Sequence, residues 1–539
     1  MSRSLTPVVL VAFALAAMAL GATPAAVDSC SNLISNASLR SLPGTTITSA
    51  TVVSGAFTPP GGGQGIQGLP SFCRVAATLK PSPVSDVKIE VWLPTEGWNQ
   101  KLQAVGNGGL AGTISYAALA IAIKGGFASV STDTGHIASD TTWLHDEEKE
   151  KDYGYRAIHG MTVLAKVVAQ QFYGSAAKRS YFNGCSTGGG QGFGEAQLYP
   201  EDYDGILAGA PQNYPTRLRA AAIWEFQVAS NDAASKLPEA ALSRVTAAVL
   251  KKCGGRWSAD GFLGDPQACR FDPKELVCKA DQDPVTCLTA AQASAVQKIY
   301  EGVLDPKNKK QIWPGLLPGS EAPAGTGLVG WEAAAFTGQT PFAPPAQFYS
   351  MGVFENPKLD FHTVDIDDAI QSAEKKFPFI NHTSTEIDAF TKHGGKLLMY
   401  HGWADPLISP LNTINYYGSL VKTMQLKSHL DNSDALKETQ KSVLLFMVPG
   451  MGHCSSGPGP DTFDGIGVLD RWVDQDAAPA RIVASHLTNG VPTMSRPLCP
   501  YPQEEQYTGS GDRSNASNWA CTARPFISDP TFYKVSTNQ

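Results

Sequence analysis

Residues 183–192 read Asn-Gly-Cys-Ser-Thr-Gly-Gly-Gly-Gln-Gly, and within them Gly184-Cys185-Ser186-Thr187-Gly188 fits the pattern G-x-S-x-G. Glycines flanking a serine permit the sharp strand-to-helix turn that exposes its hydroxyl at the edge of a sheet. Tyr181-Phe182 supplies a short strand before the turn, and Gly189 to Phe193 the crowded start of a helix after it. The pentapeptide alone is weak, since glycine-rich turns beside a serine are common. A serine hydroxyl becomes a nucleophile only with a base to take its proton, an acid to orient that base, and donors for the developing oxyanion.

Two downstream stretches offer the base and the acid. In KLLMYHGWADPLISP the strand Lys396 to Tyr400 runs into a loop carrying Asp405. In SVLLFMVPGMGHCSSG the strand Val443 to Val448 runs into a loop carrying His453. Serine, then aspartate, then histidine, each just past the carboxyl end of an apolar strand, is the chain order of the α/β-hydrolases. Ser186, His453 and Asp405 are therefore the candidate nucleophile, general base and orienting acid. Oxyanion donors are expected from the backbone N–H of Thr187 and from the glycine-rich loop after the strand Leu102 to Val105, where Gly108 or Gly109 can present an N–H with no side chain in the way.

Further out, Asp86 to Pro94 alternates Val87, Ile89, Val91 and Leu93 with Lys88, Glu90 and Trp92, the pattern of a strand with one buried face. Short apolar runs at Phe127 to Ser131 and Gly205 to Leu207 add strands, while Tyr155 to Phe172 has helical spacing. Strands alternating with helices predict an α/β protein on a mainly parallel sheet. Gly61 to Pro70 reads as a turn-rich approach to Cys73. From 212 to 388 the buried-strand pattern lapses, which predicts a lid domain inserted between two parts of an α/β-hydrolase domain, 27–211 and 389–539. Such an insertion lies above the carboxyl ends of the strands, where open α/β sheets bind ligands.

Residues 1–26 carry Arg3, an apolar stretch from Val8 to Leu20 and small residues around Gly21 to Ala26, the make-up of a secretory signal peptide. The apolar stretch is shorter than the ~20 residues of a spanning helix, so a secreted protein, extracellular or periplasmic, with no membrane partner is expected. The chain has 539 residues and a formal charge of −7, with no basic run, which argues against nucleic acid. An oxidising compartment lets its ten cysteines pair. Spacing suggests Cys253 with Cys269, Cys278 with Cys287, Cys499 with Cys521 and Cys30 with Cys73, leaving Cys185 and Cys454; many other pairings are open on spacing alone. A bridge between those two would tie the serine turn to the histidine loop, and closing so long a loop is worth up to ~5 kcal/mol in the entropic account.

Other polar groups read as structural. His159 and His401 suit packing or hydrogen bonding, Asp133-Thr134-Gly135-His136 either lines the floor of the site or caps a loop, and Val364 to Asp368 is a solvated acidic face.

The stretches LPSFCRV, EVWLP, WNQKLQAVGNGG, STDTGH, GYRAIHG, NGCSTGGGQG, DGILAGAP, HGWADPLISP and VPGMGHC together resemble the secreted tannase and feruloyl esterase family, which includes mono(2-hydroxyethyl) terephthalate hydrolase. The resemblance implies an α/β-hydrolase fold with a large lid, Ser186, Asp405 and His453 as triad, and a Cys185–Cys454 bridge beside the four pairs above. It implies esters of aromatic acids as substrates, feruloyl or other hydroxycinnamoyl esters from plant cell walls, or galloyl esters. A terephthalate-monoester hydrolase of the same family, a peptidase on the same fold and a non-catalytic binding protein are the alternatives. No cofactor is required for such chemistry. The family's structural calcium site begins with aspartates just after the equivalent of Cys253; in CGGRWSADGFLGDPQAC only Asp260, and the carbonyl of Phe262, match, while glycines and Arg256 replace the first acids. Calcium takes six to eight oxygens with several carboxylates, so this site is expected to be weak or absent.

Overall fold

A computed structural model describes residues 24–255, 260–325, 327, 329–333 and 340–526. The expected signal peptide lies outside them up to residue 23.

Nine strands form one sheet: β1 (Thr45–Phe57), β2 (Ile66–Leu79), β3 (Val87–Pro94), β4 (Lys101–Val105), β5 (Ala128–Thr132), β6 (Arg179–Cys185), β7 (Gly205–Gly209), β8 (Lys396–Gly402) and β9 (Val443–Val448), in the order β1-β2-β3-β5-β4-β6-β7-β8-β9. The first three strands and β5 pair antiparallel, and every pairing from β5 through β4 to β9 is parallel. The sheet is thus of the α/β-hydrolase type. Strands β8 and β9 are nearly continuous apolar runs because both their faces are covered. Leu397 and Met399 of β8 pack into the core that holds the helix Ala157–Tyr173, while Leu398 and Tyr400 pack with Leu469 and Trp472 of the helix Gly465–Gln475.

Two sequence expectations need correction. On the expected solvent face of β3 only Lys88 is exposed: Glu90 and Trp92 are buried, because Arg74 donates to Glu90 through Nε at 2.9 Å and Trp92 stacks on Phe72 at 4.4 Å beneath the helix Tyr116–Lys124. The turn-rich approach ends at Gly65, since Ile66 to Pro70 already belong to β2 and pair with the end of β1. The sheet is mainly parallel, as expected, and its antiparallel end is built from β1 and β2, long, half-exposed strands whose apolar residues do not form a run.

Between β7 and β8 no described residue joins the large sheet. The helices Pro215–Ser230, Glu239–Cys253 and Ala290–Glu301 build a separate core around Val245, Val249 and Val296. A second cluster joins Phe348 and Phe377 of this segment to Trp143 and Tyr153 from before β6. No helix of the described residues is long and apolar enough to cross a membrane.

Candidate active site

The parallel strands bring four loops to one end of the sheet. Those after β4, β6, β8 and β9 carry Gly106 to Gly112, Ser186, Asp405 and His453. At the end of β6 the chain turns so sharply that Ser186 takes φ 62° and ψ −122°, a conformation rare for a residue with a side chain. Its N–H donates to Gly209 O at 3.0 Å and its carbonyl accepts from Gln212 N at 2.9 Å, so the neighbouring β7 loop holds the strained turn in place. The glycines are sterically required: a Cβ on Gly184 would stand 2.4 Å from Gly188 O, and one on Gly189 2.4 Å from Gly209 O.

Asp405 is fully buried at the end of β8. Its Oδ1 accepts the N–H groups of Leu407 at 2.8 Å and Ile408 at 3.0 Å; its Oδ2 lies 2.8 Å from His453 Nδ1 and 3.1 Å from His401 Nε2. Burial alone would raise this carboxyl, but the charge and hydrogen bond of His453, with those of His401, outweigh it and hold Asp405 well below the usual carboxylate range. A carboxylate on Nδ1 fixes His453 with its Nε2 lone pair free to accept a proton. Ser186 and His453 line the same slot, and Ser186 Oγ makes no hydrogen bond within the described residues. Such contacts often tighten only when substrate is bound.

The two loops are joined covalently. Cys185 and Cys454 form a disulfide with Cα atoms 6.0 Å apart, so the residue before Ser186 is bonded to the residue after His453. Four further disulfides join Cys30 to Cys73, Cys253 to Cys269, Cys278 to Cys287 and Cys499 to Cys521.

On the other side of Ser186 lies the glycine-rich loop. Gly109, at φ 60°, lines the slot, and its carbonyl accepts a 2.6 Å hydrogen bond from Thr187 Oγ1; Gly108 is not part of the lining. Asn107 and Gln191 lock the loop to the helix Thr187–Leu198: Gln191 Oε1 accepts from Asn107 N at 3.1 Å, and Gln191 Nε2 donates to Asn107 Oδ1 at 3.0 Å. The side-chain amide of Gln212, 2.6 Å from Thr187 Oγ1, also lines the slot.

His401 does more than pack. Its Nδ1 bonds Thr413 Oγ1 at 2.7 Å and its Nε2 faces both Asp405 and Ile408 O, so it braces the same carboxylate oxygen that His453 meets. Asp133 caps its own loop through Lys88 N and Gly135 N, and His136 holds Leu110 O at 2.8 Å. His159 bonds Asp202 at 2.6 Å, away from the slot. Asp365 caps the helix Ile366–Lys376 through Asp368 N.

The slot is narrow, about 60 Å³. Its far wall comes from the inserted segment, through Leu218, Ala222, Glu225 and Pro344, facing Leu407 and Ile408 of the core. Larger surface depressions, of about 1510 Å³ around Thr385 to Lys396 and about 750 Å³ around Tyr155 and Asn381, contain neither Ser186 nor His453.

Asp260, the one acid that matches the calcium pattern, lies among arginines. Asp260 Oδ2 lies 3.1 Å from Arg496 Nη2 and 3.2 Å from Arg513 Nη2, and both guanidinium groups rest on the ring of Trp519. A carboxylate already neutralised by two arginines does not suit a cation that needs several acids. Among the described residues no group of three or more His, Cys, Asp or Glu could hold a metal ion; Arg256 lies outside them.

A family model described as tannase and feruloyl esterase matches residues 73–522. An uncharacterized esterase from Xanthomonas campestris is 35% identical over 549 residues, covering 94% of this chain and 93% of that protein. A probable feruloyl esterase B-2 from Aspergillus oryzae is 32% identical over 473 residues, covering 83% and 86%. Among solved structures, feruloyl esterase B from Aspergillus oryzae superposes with a TM-score of 0.82 at 28% identity, over 92% of this chain and all of that one. The tannin acyl hydrolase of Aspergillus niger, at 18% identity, shares the fold with a TM-score of 0.75 over 92% of this chain and 95% of that one.

Proposed function

Starting from a chain that belongs to the tannase and feruloyl esterase family and is a carboxylic ester hydrolase, we propose that it is exported and cleaves esters of aromatic acids through Ser186, His453 and Asp405. The observation that carries this reading is the hydrogen bond from His453 Nδ1 to a buried, ionised Asp405, with His453 lining the slot that Ser186 shares.

In the first step Ser186 Oγ attacks the ester carbonyl carbon while His453 Nε2 takes the hydroxyl proton. The carbonyl electrons move onto oxygen, where the N–H of Thr187 and an N–H of the Gly108-Gly109 loop stabilise them. Collapse breaks the bond to the leaving alkoxide, which receives the proton from His453, and leaves an acyl-serine. In the second step His453 deprotonates a water that attacks the acyl carbon, and Ser186 leaves with that proton as the free acid forms. Asp405 stays ionised throughout and stabilises the imidazolium. Every group that the two steps need is supplied by the chain itself. Residues 212–388 act as the lid, and because the slot is far smaller than the ~300 Å³ of an ordinary ligand cavity, the lid wall must give way as an ester enters.

The bridge has a defined task in this scheme, which is to hold the serine turn in register with the histidine loop. Replacing Cys185 and Cys454 together by serine is expected to lower stability by about 2–4 kcal/mol and to reduce turnover at temperatures well below unfolding. Full turnover in the folded double variant would remove the bridge from the mechanism.

A panel of methyl ferulate, methyl gallate, chlorogenate and a terephthalate monoester, with the matching amides, tests the substrate class. Release of aromatic acid from one or more aromatic-acid esters and none from the amides is expected. Cleavage of amides in preference to esters would contradict it.

A further inference from the structure

The two-step scheme gives His401 no task, yet this residue of β8 lies fully buried against the triad acid. Its Nε2 stands 3.1 Å from Asp405 Oδ2 and 3.0 Å from Ile408 O. Both neighbours are acceptors, a carboxylate oxygen and a carbonyl, so Nε2 is the nitrogen that carries the proton. Nδ1, 2.7 Å from Thr413 Oγ1 on the helix Pro410–Ser428, then accepts from the hydroxyl of a residue that is itself fully buried. A continuous buried line of hydrogen bonds thus runs from Thr413 through His401 and Asp405 to His453. A side chain needed only to fill this space would be apolar, since burying an imidazole costs stability unless its nitrogens are paired.

Every oxygen of the acid is engaged on both sides. Oδ1 receives the N–H groups of Leu407 and Ile408, and Oδ2 receives those of His453 and His401. A carboxylate with about four lone-pair sites cannot turn in such a shell without giving up a donor. Without His401, Oδ2 keeps only His453, and Ile408 O loses its link back to β8. The carboxylate is then free to swing, and a catalytic group that leaves its line by a fraction of an ångström loses rate although it is still present.

We propose that His401 is a positioning residue for the catalytic acid: its Nε2–H, oriented by Thr413, fixes the plane of the Asp405 carboxylate and so keeps Oδ2 aligned with His453 Nδ1. This rests on the triad reading above and goes further by assigning a fourth side chain to the turnover rate. His401 does not line the slot, so its effect on catalysis passes through Asp405.

The test is a double-mutant cycle between His401 and Asp405, read with 4-nitrophenyl acetate. His401→Leu is expected to lower kcat by about 10- to 100-fold with KM within about three-fold of the wild type. His401→Gln, whose amide N–H can stand in for Nε2–H, should retain most of the activity. In the Asp405→Asn background an amide NH₂ replaces the accepting oxygen, so there His401→Leu is expected to change kcat/KM by less than about two-fold. Should His401→Leu fail to fold, Thr413→Val takes its place, with a smaller loss in kcat that is again absent from Asp405→Asn. An undiminished kcat in the folded variant, equal losses in the glutamine and leucine variants, or a loss of the same size in both backgrounds would overturn the proposal. Wild-type activity in Asp405→Asn alone would overturn instead the triad reading on which it rests.

Discussion

Replacing Ser186 by alanine is expected to reduce hydrolysis of methyl ferulate by about 10⁵- to 10⁶-fold while leaving the melting temperature and circular dichroism of the protein unchanged. The size follows from the chemistry, because without Oγ there is no acyl-enzyme and only the residual effect of oxyanion donors and binding remains. The structural silence follows from the geometry. Ser186 Oγ makes no hydrogen bond within the described residues, so nothing is left unpaired when it goes. The strained turn is held by backbone groups, Ser186 N to Gly209 O and Gln212 N to Ser186 O, which alanine keeps. A fall in activity accompanied by unfolding would point to a structural serine.

The second large effect is expected at Asp405. Asp405→Asn should lower kcat by about 10⁴, with a smaller change in KM. The reason lies in which oxygen does what. Oδ1 accepts two backbone N–H groups, from Leu407 and Ile408, so the asparagine carbonyl must stay on that side. Its NH₂ then faces His453 Nδ1 and His401 Nε2, where the carboxylate accepted. His453 can meet that donor only by carrying its proton on Nε2, the nitrogen that has to receive the proton of Ser186. The wrong tautomer, with the orienting charge gone, accounts for the loss. The same substitution carries a stability signature. Because Asp405 is held below its ordinary value of 3.8, its ionised form stabilises the fold at every pH above that value, and the contribution fades only as pH falls through the lowered one. Asp405→Asn should therefore destabilise the protein at pH 6 and progressively less in strong acid, measured as unfolding free energy against pH.

The serine turn and the two strand-end loops were legible in the sequence because their chemistry and their local pattern coincide. Ser186 sits among glycines that only a tight turn explains, and Asp405 and His453 follow apolar runs that only buried strands explain. The antiparallel end of the sheet was less legible. The apolar residues of β1 and β2 are scattered among exposed ones, and their register, with shifts between Ile47 and Ser49 and between Val53 and Ala56, depends on partners distant in sequence. Glu90 read as a solvent-facing residue because its arginine partner lies on another strand. His401 gave a partial signal, four residues before Asp405 at a strand end, but its bond to that aspartate exists only after the chain reverses at Asp405. Glu225 gave no signal at all, since one acidic residue in a helix looks solvated until the opposing wall is folded over it. Asp260 shows the converse: its arginine partners come from more than 230 positions downstream, beyond the reach of any local motif.

The central claim is that Ser186 is acylated during turnover. Rapid acid quenching of the enzyme with an aromatic acyl ester, followed by peptide mass mapping, tests it most directly. The account predicts an added acyl mass confined to the peptide that contains Ser186, itself disulfide-linked to the peptide containing Cys454, and absent from Ser186→Ala. Acyl mass on a different residue, or steady hydrolysis by Ser186→Ala at the wild-type rate, would contradict it.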